Sequence, residues 1–258
     1  MEKGSPAQRR ATGERLMAEV MDARPPERPT LLEESIRDFA CAEIWSRPGL
    51  DRRSRRWIAL SAAATTGLAD PLEDYVRSAL KSGDISLAEL REGVLHFAVY
   101  SGWPLGRVFD RIVTRVAGEL GLEAQTPPIT DGSRGPEARY AHGVAEYTKI
   151  MTFPPTDQPA AYYDAGIKNF VFGEMWHRAG LDQRARRWIT LSCVGASDTQ
   201  YPILTHVYAA MNAGDATLAE MHEFVLQFAH EVGWPKGSVM IGAVEQMAPR
   251  VAQGLPWM

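Results

Sequence analysis

Leu50-Asp51-Arg52-Arg53-Ser54-Arg55-Arg56-Trp57-Ile58-Ala59-Leu60-Ser61 returns 131 positions later as Leu181-Asp182-Gln183-Arg184-Ala185-Arg186-Arg187-Trp188-Ile189-Thr190-Leu191-Ser192. The echo spreads outward in both directions. With Phe39 set on Phe170 and no gap, 32 of the 70 positions from 39 to 108 are identical in the second copy. Trp45/Trp176, Gly83-Asp84/Gly214-Asp215 and Gly102-Trp103-Pro104/Gly233-Trp234-Pro235 are among them. A fainter echo upstream sets Arg9-Arg10-Ala11-Thr12-Gly13 beside Arg139-Tyr140-Ala141-His142-Gly143. A repeat of this strength sets the organisation before any element is assigned. It implies a first unit over residues 1–120, a linker over 121–136 and a second unit over 137–258. Pro127-Pro128 and Asp131-Gly132-Ser133-Arg134-Gly135-Pro136 give the linker the composition of exposed chain.

Inside each copy the apolar spacing is helical. Leu72, Tyr75, Val76, Ala79 and Leu80 form one stripe that stops at Gly83, and Ile203, Val207, Ala210 and Met211 repeat it up to Gly214. Ser86-Leu87-Ala88-Glu89 and Thr217-Leu218-Ala219-Glu220 each place a glutamate three residues after a hydroxyl, the signature of a capped helix start. Asp51 and Asp182 stand as N-caps of the helices that carry Arg-Arg-Trp-Ile. Gly-Trp-Pro ends one helix and opens the next, because proline cannot continue a hydrogen-bond ladder but fits a first turn. No strand alternation with hairpin turns is present, so the expected class is all-α, with the two copies paired as an intrachain pseudo-dimer.

The composition narrows the function. A formal net charge of -4 supplies no basic field for nucleic acid or an anionic membrane. The polar start, Met1-Glu2-Lys3-Gly4-Ser5-Pro6, and the absence of a long apolar run predict a cytoplasmic chain with neither secretion signal nor span. Cys41 and Cys193 are too few and too far apart for a disulfide framework or a structural zinc site, and read as buried free thiols.

The ordered set Leu-Asp-x-Arg-x-Arg-x-x-Ile-x-Leu-Ser, a helix closing on glycine, a capping box and Glu-x-Val-Leu-x-Phe-Ala before Gly-Trp-Pro resembles the carboxymuconolactone decarboxylase family. Residues 49–106 and 180–237 carry the resemblance. It implies compact helical units of the alkyl hydroperoxidase D-like fold, a small organic acid or lactone as partner, and no metal or organic cofactor. It also implies a homo-oligomer, a trimer of duplicated chains reproducing six units. The branch resembling alkyl hydroperoxidase D needs Cys-x-x-Cys ahead of a histidine, since its chemistry runs through a thiolate and a resolving thiol. Thr199 and Pro202 stand there before His206, and Leu68 and Pro71 in the first copy, so a thiol peroxidase has no nucleophile.

His206 keeps the family's histidine position, opposite Tyr75, and the resemblance makes it the general acid or base of a decarboxylation. The same imidazole also fits an inert, hydrogen-bonded helix histidine, and the sequence leaves both readings open. Pro202 replaces the family's glutamate four residues earlier. His230 replaces Val99, and His96 stands opposite Gln227, so the copies diverge on the helix that lines the family's pocket. His206 and His230 are therefore the candidate catalytic residues. Arg187, Trp234, His96, Tyr100 and Trp103 are the candidate substrate-binding residues. Arg55-Arg56 and Arg186-Arg187 can clamp a carboxylate or join the units. Glu92 and Glu223 are expected to pair with those arginines, and the repeated tryptophans to pack in the core or an interface. Three functions follow: decarboxylation of a carboxylated lactone or related small acid, another lyase, isomerase or hydrolase reaction on the same fold, or non-catalytic binding and assembly.

Overall fold

The computed structural model describes residues 5–129 and 134–258. Thr130 to Ser133 of the expected linker and the first four residues lie outside the described residues. Helices α1 (Pro6–Met21) and α2 (Leu31–Ser35) precede a π-helix over Ile36–Trp45. There follow α3 (Arg52–Thr65), α4 (Ala69–Ser82), α5 (Leu87–Ser101) and α6 (Trp103–Glu119). The same order recurs as α7 (Pro136–Met151), a π-helix over Tyr162–Met175, α8 (Gln183–Ala196), α9 (Gln200–Asn212), α10 (Leu218–Val232) and α11 (Trp234–Ala252). No strand occurs among the described residues, so the protein is all-α. None of these helices is long and apolar enough to cross a membrane.

The caps form where the sequence places them. Asp51 accepts from the Ser54 amide and Asp182 from the Ala185 amide, both at 2.8 Å. The boxes Ser86/Glu89 and Thr217/Glu220 close reciprocally on their own backbones. Gly83 ends α4 with φ +74°, a left-handed conformation that favours glycine. Pro136, expected as the last linker residue, instead heads α7, where its missing amide hydrogen costs nothing. The π-wound segments were not readable from apolar spacing. Their wide turns show in bonds such as Trp176 N–H to the Val171 carbonyl, five residues back.

The two copies share one core. Trp57, Ile58, Leu60 and Phe97 of the first copy and Trp188, Ile189, Leu191 and Phe224 of the second lie in a single buried cluster. The helices that meet across the copies are α3 with α8, α3 with α10, and α5 with α8. Charge reinforces this pairing reciprocally. Glu92 accepts from Arg178 at 2.6 Å and lies 3.8 Å from Arg186. Its equivalent Glu223 accepts from Arg47 at 2.6 Å and Arg55 at 2.7 Å. The capping carboxylates cross over as well, Asp182 meeting Arg53 at 2.9 Å and Asp51 meeting Arg184 at 3.7 Å. Gly49 and Gly180 make room for the crossing glutamates: a Cβ at either would stand 2.6 Å from Glu223 Cγ or 2.3 Å from Glu92 Cγ. Arg178 also donates to the carbonyls of Pro127, Pro128 and Ile129, which ties the described start of the linker to the second copy.

Candidate functional site

Two polar clusters sit at equivalent places between the copies, each built from one copy's α5 or α10 and the other copy's Trp, Arg and α9 or α4 residues. The first contains His96 and Tyr100 from α5 with Trp176, Arg187, Thr190 and His206 from the second copy. The Trp176 indole donates to the Tyr100 hydroxyl at 2.7 Å. The Tyr100 and His206 rings meet edge to face with centroids 5.5 Å apart, and His96 packs 4.9 Å from Trp176. The Arg187 guanidinium lies over the Trp176 ring at 5.1 Å, a cation–π contact that fixes its plane.

Hydrogen-bond direction assigns the state of His96. Arg186 only donates, so His96 Nδ1 accepts from it at 3.3 Å, and the ring's proton is on Nε2, facing the Thr190 hydroxyl at 2.9 Å. His96 is thus neutral and fully engaged, and burial with the neighbouring Arg186 charge holds its pKa well below the usual value. His206 differs. Burial, then the positive charge of Arg187, push its pKa down to about 3, and its Nδ1 is buried without a partner. It therefore stands in the unliganded protein as a neutral imidazole.

Arg187 is anchored by two bonds to Asp215 and one to the Ile150 carbonyl, at 2.8–2.9 Å. Its Nη1 is buried with no partner. The first copy shows why. Arg56, its equivalent, bonds Asp84 at 2.6 Å and the Glu19 carbonyl at 3.0 Å, and its Nη1 donates to Ser78 Oγ at 2.7 Å. Ala209 replaces Ser78 in the second copy, which removes the acceptor and leaves a buried cationic donor beside His206.

The second cluster contains Gln227, His230 and Glu231 of α10 with Trp45, Arg55 and Tyr75. Tyr75, opposite His206, donates to Glu231 Oε1 at 2.7 Å. Glu231, opposite Tyr100, was not singled out from the sequence; the signal was the mismatch of a glutamate with a tyrosine beside the His230/Val99 mismatch.

Of the predicted site residues, the structure brings His206, Arg187, His96 and Tyr100 together in one cluster. It places His230 in the other. Trp103 and Trp234, read as substrate-binding, are each 54% exposed at the starts of α6 and α11. They make tilted ring contacts with Phe170 and Phe39 instead. Trp176 and Thr190 complete the first cluster in their stead. Arg55 and Arg186 serve the contact between copies. Cys41 and Cys193 are free and buried, with burial raising both thiols to about 12, far from the thiolate state that nucleophilic chemistry requires.

The fold and this buried Arg–His arrangement define an all-α protein with a polar cluster between its two sequence repeats. Comparison with known proteins makes the class specific. Over 87 residues the chain is 32% identical to the 4-carboxymuconolactone decarboxylase of Acinetobacter baylyi, a match covering 34% of this chain and 64% of that protein. Over 72 residues it is 39% identical to the nitrosuccinic acid decarboxylase of Metarhizium robertsii, covering 28% of this chain and 50% of that protein. The chain thus spans less than two thirds of either relative. No protein-family profile matches it. Over these stretches the chain is similar to two named decarboxylases, in keeping with its resemblance to the carboxymuconolactone decarboxylase family.

Proposed function

We propose that this protein is a cofactor-independent decarboxylase of a carboxylated lactone or related small organic acid, working at the Arg187–His206 cluster. The observation that carries the reading is the pair of buried, unpartnered polar groups, Arg187 Nη1 and His206 Nδ1. A buried guanidinium nitrogen without an acceptor is costly, and a substrate carboxylate repays that cost with a charge-assisted bond. Both relatives are named for carboxylic acid decarboxylation, which fits an anionic ligand at this place.

A carboxylate on Arg187 also changes His206. Part of the depression of its pKa comes from the Arg187 charge, so an anion that offsets this charge makes the imidazole more basic and lets it carry a proton in the complex. As the C–C bond breaks, carbon dioxide departs and the electron pair stays on the substrate, delocalised into its carbonyl. His206 then gives its proton to that carbon and is reprotonated from solvent for the next cycle. Trp176 and Tyr100 wall the cluster and keep water from the developing anion, where low dielectric strengthens the Arg187 contact.

The test is carbon dioxide release from 4-carboxymuconolactone and a panel of lactone acids and β-oxo acids, with wild type and His206→Ala. The expected fall in kcat/KM for the variant is about a hundredfold, or about 2.7 kcal/mol of barrier. No release from any of these substrates would remove decarboxylation as the function.

A further inference from the structure

The cluster around Glu231 holds chemistry that the Arg187–His206 site does not use. Arg55 Nη1 donates to Gln227 Oε1 at 3.1 Å. Since arginine only donates, the amide oxygen of Gln227 faces Arg55, and the amide nitrogen faces His230 Nε2 at 3.0 Å. That nitrogen of His230 is therefore an acceptor without a hydrogen. The same Nε2 lies 3.2 Å from Glu231 Oε1. Two acceptors at that distance repel mildly unless a proton lies between them, so the arrangement favours a protonated carboxyl on Glu231, sharing the His230 Nε2 lone pair with the Gln227 amide. Tyr75 donates to the same Oε1 at 2.7 Å, which a carboxyl oxygen that is also donating can accept. The titration behaviour agrees: burial raises Glu231 to about 8, and burial with the Arg55 charge lowers His230 to about 4.

Among the described residues the hydrogen bonds of this carboxyl fall on Oε1. The Glu231 side chain is 8% exposed and that of His230 10%, so the acid is sheltered but not sealed. The arginine charges nearby are already paired with carboxylates, Arg55 with Glu223 and Arg56 with Asp84. Both Arg55 Nη atoms are engaged, by Gln227, Glu223 and the Arg47 carbonyl, while its Nε is buried without a partner. Cys41 and Trp45 supply apolar surface.

We infer that the Glu231–His230–Tyr75 cluster is a second proton-transfer site, which interconverts the enol and carbonyl forms of a small neutral carbonyl compound such as an unsaturated lactone. Glu231 gives its proton to the α-carbon of the enol, and the C=C electron pair becomes the new C–H bond. The carboxylate so formed takes the hydroxyl proton as the C=O bond forms. The carboxyl ends as it began, nothing is oxidised or reduced, and no co-reactant is consumed. His230 and Tyr75 position the carboxyl and stabilise its charge during the interval.

The site is tested with α-angelica lactone, a β,γ-unsaturated lactone without a carboxylate, in deuterated buffer, following deuterium entry at its α-carbon by NMR. Wild type is expected to exchange it faster than buffer, and Glu231→Gln, which keeps size and neutrality but has no acid, to lose about a hundredfold of that rate. His206→Ala, in the other cluster, is expected to retain it. No exchange above buffer with wild type, or exchange that survives Glu231→Gln, would overturn the inference. Exchange lost with His206→Ala but kept with Glu231→Gln would do the same, by assigning the chemistry to the first cluster. Because no carbon dioxide is released in this assay, its outcome is independent of the decarboxylation test.

Discussion

Arg187 and Arg56 occupy the same place in the two copies and bind the same partner types, yet one has a nitrogen to spare and the other does not. Ser78 against Ala209 makes that difference, a single hydroxyl. Around it the rest of the wall has diverged, with His206 opposite Tyr75, Tyr100 opposite Glu231 and His96 opposite Gln227. The first cluster presents a buried cation beside a neutral base, and the second a buried acid whose neighbouring arginines are paired with Glu223 and Asp84. The repeat within one chain allows this, because each cluster draws residues from both copies and the two need not remain alike. The shared scaffold beneath them, Glu92 and Glu223 with their arginines, has stayed the same.

The scaffold is where the largest effect is expected. Glu92→Ala leaves Arg178 and Arg186 without their carboxylate in a buried place and is expected to cost about 3–5 kcal/mol in urea denaturation. Glu223→Ala should cost less, since its partner Arg47 is 31% exposed and Glu92's partner Arg178 only 9%. Equal losses would mean that the copies are joined more evenly than their burial indicates.

The buried histidines and Glu231 should also pull stability in opposite directions with pH. The unfolded chain protonates His206 below 6.5 while the folded chain does not until about 3, so stability falls as pH drops through that window. His96 and His230, also depressed, add to this limb. Glu231 keeps its proton in the folded protein up to about 8 but loses it near 4.5 when unfolded, so stability falls as pH rises between those values. Each limb is expected to amount to several kcal/mol. Denaturant midpoints measured across pH should show the alkaline limb shrink in Glu231→Gln, leaving the part from Asp74, which burial raises to about 6, and persist in His206→Ala.

A smaller effect isolates the single hydroxyl. Ala209→Ser gives Arg187 the acceptor that Arg56 has, and is expected to raise KM for a carboxylate substrate about tenfold, the worth of one hydrogen bond to a charged group. Thermal stability should hold or rise. An unchanged KM would separate Arg187 Nη1 from substrate binding.

Much of the fold was legible in the chain. The repeat, the capping boxes at Ser86 and Thr217, and the helix starts at Asp51 and Asp182 rest on neighbours within a few residues, so local pattern was sufficient for them. The π-helices were not legible, because their winding changes which residues share a face without changing residue type. Of the site, His206, Arg187, His96 and Tyr100 were found through the resemblance and do cluster. Trp103 and Trp234 lie outside that cluster, since a tryptophan before proline reads the same whether it turns inward or outward. Glu231 was passed over because a lone glutamate near a helix end is ordinarily solvated.

The amino-acid sequence by itself determined the helices, their ends and their duplication, since propensity, apolar period and capping act over one or two turns. Only the tertiary structure decided which charges cross between copies, which arginine keeps a free nitrogen and which carboxyl holds its proton. These depend on burial and on partners as far as 176 positions away, as Arg47 is from Glu223, and the free energy of a charge is set by what surrounds it in space.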